Sequence, residues 1–320
     1  MSSIIIASDK LNSGKTMARS VILSYLKSTG ISVSTISSFY KTPSSDRQII
    51  DLPEVETIPG LEDIDVKNMP DKYLQKISDL ISKNSNKKML ISESGSTDMD
   101  FNRKLAEVSR SKILLVTDSK DNAEKARSKL GEYLGGIIYN NIPRHRVDSV
   151  KSEKGDDVIS IIPENRHMVS STVDQYVKHL KGKYLYESEK KNELVLNILI
   201  GGIVLDWSVL YYESQKDVLA LIRGDRPDLQ LGAMQAGGNV KGLVLTKGIE
   251  PIEYVFYEAK KLEIPLILVD SDTHDTADKI SGIVSKSIFD HPDKLSSCLS
   301  YFKDNMSQNA VDKALELTTL

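Results

Sequence analysis

The chain has 320 residues, and 40% of them are hydrophobic, which is enough to build the cores of two domains and too much for a disordered chain. Its 42 Lys and Arg residues against 45 Asp and Glu residues give a formal charge of −3, which argues against nucleic acid or an anionic membrane as the partner. The single cysteine, Cys298, excludes an intramolecular disulfide and a cysteine-rich zinc module. The longest apolar run, residues 194–205, is shorter than the roughly 20 residues of a membrane helix, and we expect a soluble, cytoplasmic protein.

Short β-branched runs alternate with amphipathic stretches along the chain, which predicts an α/β fold. In the first half the predicted strands are 4–7, 33–40, 89–91, 113–116 and 136–139, and the predicted helices are 15–27, 70–82, 102–108 and 122–134. After a weaker stretch, strands are predicted at 194–200, 218–222, 242–246 and 265–269, and helices at 171–180, 229–235, 253–262, 276–284 and within 293–317. We therefore expect a doubly wound, mostly parallel sheet in residues 1–183, a second, smaller α/β domain in residues 190–300, and a C-terminal helical tail in residues 301–320.

A phosphate-binding motif follows the first predicted strand. Gly14, Lys15 and Thr16 match the end of the pattern GxxxxGK[ST], and a helix begins there. Backbone N–H groups at such a helix start bind phosphate oxygens, the lysine reaches the β and γ phosphates, and the hydroxyl ligates Mg²⁺. Asp9 stands where the pattern has its first glycine, and Lys10 lies five residues before Lys15. The predicted nucleotide contacts are Lys10, Asn12, Ser13, Gly14, Lys15 and Thr16; for Lys10 a solvated surface lysine is an equal alternative.

Two further strand ends complete the predicted site. Glu93 ends the third strand beside the loop, and a carboxylate there suits a hard cation such as Mg²⁺, with a plain surface glutamate as the alternative. Asn140 follows the strand that starts at Gly136. In the dethiobiotin synthetase class of P-loop proteins, which this loop resembles, an asparagine after that strand contacts the nucleotide base by its amide. The resemblance implies this role for Asn140, with Asn141 or a simple turn asparagine as alternatives.

The spacing of Lys10 and Lys15 resembles the KxxxxK[ST] loop of the class that contains dethiobiotin synthetases, MinD and the nitrogenase iron protein. The stretch from Phe39 to Arg47 resembles dethiobiotin synthetases and, more closely, the N-terminal domain of long phosphotransacetylases. This resemblance implies that Lys41 faces the phosphates or an acidic second substrate and that Asp46 lies near Mg²⁺. It also implies ATP and Mg²⁺ as cofactors, Lys15 and Lys41 as the catalytic lysines, Thr16, Asp46 and Glu93 as metal ligands, and a homodimer.

The second half carries three separated motifs at strand ends. These are Gly224-Asp225-Arg226, then Leu245-Thr246-Lys247-Gly248, then Asp272-Thr273, and together they resemble the DRTGG domain. Their position predicts that Asp225, Arg226, Thr246, Asp272 and Thr273 meet at one rim of a parallel sheet, where ligands bind. Asp225 is also placed to cap the helix that begins near Pro227. The alternative is that these residues cap helices and form turns, or lie in a dimer interface.

We expect an Mg·ATP-binding protein, either a slow ATPase or a nucleotide-dependent regulator, whose DRTGG domain senses a small metabolite or a protein partner. The first alternative is a dethiobiotin synthetase-like ligase that acts on a small carboxylate or carbamate. The second alternative is a scaffold whose two sites are vestigial. The chain stops where a phosphotransacetylase would begin its catalytic domain, so we do not expect acetyl transfer.

Overall fold

A computed structural model of the chain describes residues 2–36, 55–58, 70–84, 89–152, 155–202 and 205–316. The chain forms two compact units: Met1–Asn165 with Phe289–Leu320, and Arg166–Ile288. No helix in these residues is long and apolar enough to cross a membrane.

The units differ from the expected domains at both ends of the second unit. Residues 166–183 belong to the second unit, because the strand that begins at Lys183 pairs with a strand of its sheet. The C-terminal residues belong to the first unit instead of forming a separate tail. Their helices bury Cys298, Phe302 and Val311, and this apolar face packs against the first unit's own helices and strands.

The first unit contains a parallel sheet of seven described strands in the order β3-β2-β4-β1-β5-β6-β7. The strands are β1 Ser2–Ser8, β2 Ser34–Ile36, β3 Glu56–Ile58, β4 Met89–Glu93, β5 Lys112–Thr117, β6 Leu134–Ile142 and β7 Val158–Pro163. The predicted α/β class with a parallel sheet is therefore confirmed. Strand β1 lies at the centre, between β4 and β5, so its carboxyl end is flanked by the ends of both neighbours.

Helices cover both faces of this sheet. They are α1 Lys15–Ser28, α2 Pro70–Lys83, α3 Met99–Ser109, α4 Lys120–Leu130, α5 Val147–Ser152, α12 Pro292–Asp304 and α13 Gln308–Ala314. Ile5 and Ala7 of β1 share one apolar cluster with α2, α3 and α4. Successive side chains of a strand point to opposite faces, and Ile4 and Ile6 are buried as well. The other face is therefore also covered. Helix α1 packs onto β4, helix α12 packs onto β7, and the two helices contact each other.

The second unit has a five-stranded sheet in the order β11-β12-β13-β14-β9, parallel except for β9. The strands of this sheet are β9 Lys183–Tyr186, β11 Asn197–Ile200, β12 Val218–Arg223, β13 Val240–Thr246 and β14 Leu266–Leu268. Two further strands, β8 Ser171–Thr172 and β10 Leu194–Val195, form a separate antiparallel pair. The helices of this unit are α6 Arg166–Val169, α7 Val173–Leu180, α8 Leu205–Glu213, α9 Pro227–Gln235, α10 Glu253–Lys261 and α11 Thr273–Ser281. Helices α8, α9 and α10 share one apolar cluster, and α7 and α11 share another, so this sheet too is covered on both faces.

Most predicted elements are present, with changes at their ends. The helix predicted over 122–134 ends at Leu130, because Gly131 takes a φ of 54° and the chain turns into β6. The strand predicted over 194–200 is two strands, since β10 pairs with β8 and β11 pairs with β12. Strands β3, β7, β8 and β9 and helices α5, α6 and α8 are not among the predicted elements. Residues 37–40 of the second predicted strand lie outside the described residues.

Gly224, at the turn after β12, is held where no side chain fits. A Cβ on this residue would lie 1.9 Å from the carbonyl oxygen of Ile249. We expect Gly224→Ala to lower the free energy of unfolding of the second unit by about 3 kcal/mol, since the backbone at Ile249 must move. Urea unfolding measures this. Gly238→Ala is the control, because a Cβ there meets nothing within 4 Å; equal losses in both variants would contradict the prediction.

Lys294 of α12 is fully buried in the first unit. Burial lowers the pKa of its amine to about 8, and Asp290, whose Oδ1 lies 3.8 Å from Nζ, opposes that shift only in part. The unfolded chain keeps the ordinary pKa of 10.5 and so binds more protons than the folded chain between the two values. The contribution of Lys294 to the free energy of unfolding therefore rises with pH across this window.

We expect the stability of Lys294→Met to exceed that of the wild type most at neutral pH, with the difference shrinking as the pH rises above about 8. Urea unfolding at several pH values provides the measurement. Lys303→Met, at an exposed lysine of the same helix, should show no such trend. Parallel pH profiles for the wild type and Lys294→Met would show the assignment to be wrong.

Candidate functional site

The predicted phosphate loop lies at the carboxyl edge of the first unit's sheet. It joins the central strand β1 to helix α1, which begins at Lys15 with Gly14 as its N-cap. Gly14 has φ +95°, a backbone conformation that glycine adopts without strain. No side chain caps this helix, and its first turn contains no acidic residue. The positive end of the helix dipole thus has no competing anion from its own first turn.

Asn140, near the carboxyl end of β6, binds the backbone of the phosphate loop. Its Nδ2 donates a hydrogen bond to the carbonyl oxygen of Ser13 at 2.8 Å. A Cβ at Gly14 would lie 2.4 Å from that same Nδ2, so the glycine is required by the close approach as well as by its φ. The amide for which we predicted a base contact is thus bound to the loop itself. The alternative, Asn141, is exposed and has a φ of 59°.

The loop is closed by its own hydroxyl groups. Ser8 and Ser13 both donate through Oγ to the carbonyl oxygen of Lys10, each at 2.8 Å. Asn12 takes a left-handed φ of 59° and is exposed. The loop therefore keeps its turn through internal bonds.

Asp9, at the position of the missing glycine, binds the neighbouring strand end. Its Oδ2 accepts hydrogen bonds from Thr117 Oγ1 at 2.8 Å and from Asn122 Nδ2 at 2.7 Å. Thr117 ends β5 and Asn122 lies in the first turn of α4, so the carboxylate ties the loop to the β5–α4 turn. Sequence reasoning missed this role. The available signal was a carboxylate in place of a glycine.

Lys10 has a partner within its own chain. Its Nζ lies 2.5 Å from Asp118 Oδ2, next to Thr117 in the same β5–α4 turn, and its side chain is 53% exposed. Lys10 is thus a largely exposed lysine in an ion pair, and its contact with a phosphate stays a prediction.

Asp9 and Asp118 both link the phosphate loop to the β5–α4 turn, Asp9 through the buried Thr117 and Asp118 through the exposed Lys10, and this difference yields a prediction. Asp9→Ala leaves the buried Thr117 hydroxyl and the Asn122 amide without their acceptor, and we expect a loss of about 1–3 kcal/mol in the free energy of unfolding. Asp118→Ala removes only a solvent-exposed ion pair and should cost less than about 1 kcal/mol. Chemical denaturation of both variants measures the difference, and equal losses would refute the anchoring role.

Lys15 is half-buried at the start of α1. Burial lowers the pKa of its ammonium below the ordinary value of 10.5, and the negative charge of Glu93 offsets part of this shift. The ammonium is thus poorly hydrated and lies near one carboxylate. An anion placed at the helix N-terminus would restore the interactions that its charge loses on burial.

Thr16 and Glu93 meet at the mouth of the loop, as predicted. Thr16 Oγ1 donates to Glu93 Oε2 at 3.1 Å, across the gap between α1 and β4. A second contact was not predicted: the buried Arg19 places Nε 3.1 Å from Glu93 Oε1.

The Thr16 hydroxyl and Glu93 carboxylate oxygens are of the kind that binds Mg²⁺, and phosphates and water would supply the remaining ligands. The described residues contain no group of three or more His, Cys, Asp or Glu that could hold a metal alone. Lys41 and Asp46 lie outside the described residues.

At the predicted rim of the second unit, arginine and aspartate side chains bind each other. Asp225 accepts both hydrogen bonds from Arg223, at 2.9 and 2.5 Å, and does not cap α9, whose N-cap is Arg226. Arg226 in turn donates to Asp228 at 2.9 and 2.6 Å. These pairs hold the pKa values of both carboxyl groups below their ordinary range.

The other three predicted rim residues also have structural partners. Thr246 and Thr273 meet through their hydroxyl oxygens at 2.9 Å, which joins the end of β13 to the start of α11. Asp272 caps α11 by accepting from the backbone N–H of Asp275 at 2.9 Å. Of the five predicted rim residues, Asp272 caps a helix and the other four contact neighbouring side chains, and ligand binding at this rim stays a prediction.

Comparison with known proteins supports the division into these two parts. Residues 175–283 match the DRTGG domain model. This confirms the predicted resemblance of the second unit.

The chain is also 23% identical over 217 residues to a phosphate acetyltransferase from Synechocystis sp., a match that covers 60% of this chain. The chain spans only 31% of that relative.

Solved structures with related folds include the MinD cell division protein of Aquifex aeolicus, at 19% identity and a TM-score of 0.37, covering 53% of this chain and 85% of MinD. They also include the CBS and DRTGG domains of the regulatory region of Clostridium perfringens pyrophosphatase, complexed with the activator diadenosine tetraphosphate. That structure has 15% identity and a TM-score of 0.32, and the match covers 54% of this chain and 73% of that one.

Proposed function

We propose that the chain binds Mg·ATP in its first unit and acts as a nucleotide-dependent regulator or slow ATPase. The DRTGG domain would respond to a metabolite or a protein partner. The observation that carries this proposal is the uncapped start of α1: a left-handed Gly14, a desolvated Lys15 and the Thr16–Glu93 pair lie within one turn at the end of the central strand. This combination suits a polyphosphate with a divalent cation.

Each residue of the loop has a distinct task in this proposal. The first-turn N–H groups of α1 donate to phosphate oxygens, and Lys15 supplies the charge for the terminal phosphates. Thr16 and Glu93 would hold Mg²⁺, which bridges phosphate oxygens and neutralises charge when bound. Asn140 and Asp9 keep the loop in place, so their contribution is to fix its geometry. A homodimer stays a prediction, as do contacts from Lys10, Lys41 and Asp46.

Calorimetry with ATP, with and without Mg²⁺, tests the proposal directly. We expect the wild type to bind ATP and Lys15→Ala to lose about 10- to 100-fold in affinity, because a charge-assisted contact to phosphate is removed. Lys125→Ala, at an exposed lysine of α4, should bind like the wild type. Absence of binding by the wild type, or equal affinities for all three proteins, would contradict nucleotide binding at this loop.

ATP turnover separates the regulator from the ligase. Slow turnover that is indifferent to 7,8-diaminopelargonic acid with bicarbonate agrees with the proposal. Stimulation of turnover by that pair would favour the dethiobiotin synthetase-like alternative instead.

A further inference from the structure

Arg19 is the largest fully buried side chain at the candidate site. It is 1% exposed and lies on α1 one turn after Lys15. Arginine is almost never fully buried unless its charge is paired. The proposed roles of the loop do not use it, so its position calls for another explanation.

The guanidinium group of Arg19 connects three elements. Its Nε lies 3.1 Å from Glu93 Oε1 at the end of β4, and its Nη1 donates a long hydrogen bond of 3.5 Å to the carbonyl oxygen of Ile36 at the end of β2. Among the described residues, Nε and Oε1 have no directed hydrogen bond, so they attract each other mainly as charges. The remaining oxygen of Glu93 accepts from Thr16.

Both oxygens of Glu93 are therefore occupied, one by a fixed positive charge and one by a hydroxyl. A Mg²⁺ ion that binds Glu93 has to approach a carboxylate whose charge is already balanced by Arg19. Magnesium also gives up its water ligands reluctantly, and it relies on carboxylates and phosphates for charge. The protein's share of the negative charge at this site is close to zero while the ion pair holds.

We propose that Arg19 is a positioning residue that neutralises Glu93 and thereby keeps the Thr16–Glu93 site from holding Mg²⁺ unless nucleotide phosphates supply the missing charge. The link to phosphate rests on the proposed function; the suppression of Mg²⁺ binding by Arg19 does not. Replacing Arg19 by an apolar side chain removes the positive charge 3.1 Å from the buried Glu93 and leaves that carboxylate with less compensation, from Lys15. A buried carboxylate that has lost its ion-pair partner gains more from a bound cation.

The test measures Mg²⁺ binding without nucleotide, by thermal unfolding and calorimetry over a range of MgCl₂ at constant ionic strength. We expect no saturable Mg²⁺ effect on the wild type and a saturable stabilisation of Arg19→Met, with a dissociation constant at least about tenfold lower than any wild-type value. Arg19→Lys, which keeps the charge, should behave like the wild type. The double variant Arg19→Met/Glu93→Gln should lose the Mg²⁺ effect again, because the carboxylate is gone.

With a folded variant, either of two results would overturn the inference: Mg²⁺ stabilisation of the wild type equal to that of Arg19→Met, or no gain of Mg²⁺ stabilisation in Arg19→Met. If Arg19→Met does not fold in Mg²⁺-free buffer, Arg19→Gln takes its place. If that variant does not fold either, soluble yield with and without Mg²⁺ decides, and no recovery by Mg²⁺ in either variant also overturns the inference. Because no nucleotide is present, failure of ATP binding in the Lys15 experiment would leave this result unaffected.

Discussion

The candidate site depends on the close approach between the loop backbone at Gly14 and the side chain of Asn140. Strand β6 is separated from β1 by β5, so the Asn140 amide reaches across the end of β5 to bond Ser13. A side chain at residue 14 would occupy the place of that amide. Since the same glycine supplies the left-handed turn into α1, one residue sets both the support of the loop and the direction of the helix N-terminus.

Lys10 and Lys15, the two lysines of the loop, differ in burial and in their charged neighbours. Lys10 is mostly solvated and lies beside a carboxylate, so little free energy is gained or lost when its partner changes. Lys15 is half-buried and poorly hydrated, and the nearest negative charge, Glu93, is shared with Arg19. An electrostatic contact to a bound anion is therefore stronger at Lys15, because that charge is already out of water.

The parallel fold could be predicted from the sequence because buried strands and amphipathic helices each carry a strong local pattern. Strand β9 escaped prediction because it is short and lies in a charge-rich stretch, and only pairing with β14 makes it a strand. Strand β7, the buried apolar run Val158–Pro163, carries the same local signal as the predicted strands and could have been predicted. The motif placed Lys15, Thr16 and Glu93 at the carboxyl edge of the sheet because they follow strand ends, and their roles stay predictions. It could not reveal Asp9, Asp118 or Arg19 as contacts, because their partners lie up to 113 residues away in sequence.

The rim of the DRTGG domain shows that a sequence motif can locate a group of residues in the fold without revealing which partners their side chains bind. In sequence Arg226 looks like an anion-binding group, yet in the structure both Arg226 and Arg223 form a bidentate pair with the aspartate two residues later. The backbone between them is fixed, because the fully buried Gln230 donates to the carbonyl oxygens of Arg223 and Gly224. An anion that approaches either arginine must displace a carboxylate of similar geometry, and the exchange of one such pair for another yields little net free energy. Selective recognition at this rim therefore depends on a ligand that also satisfies the released aspartate.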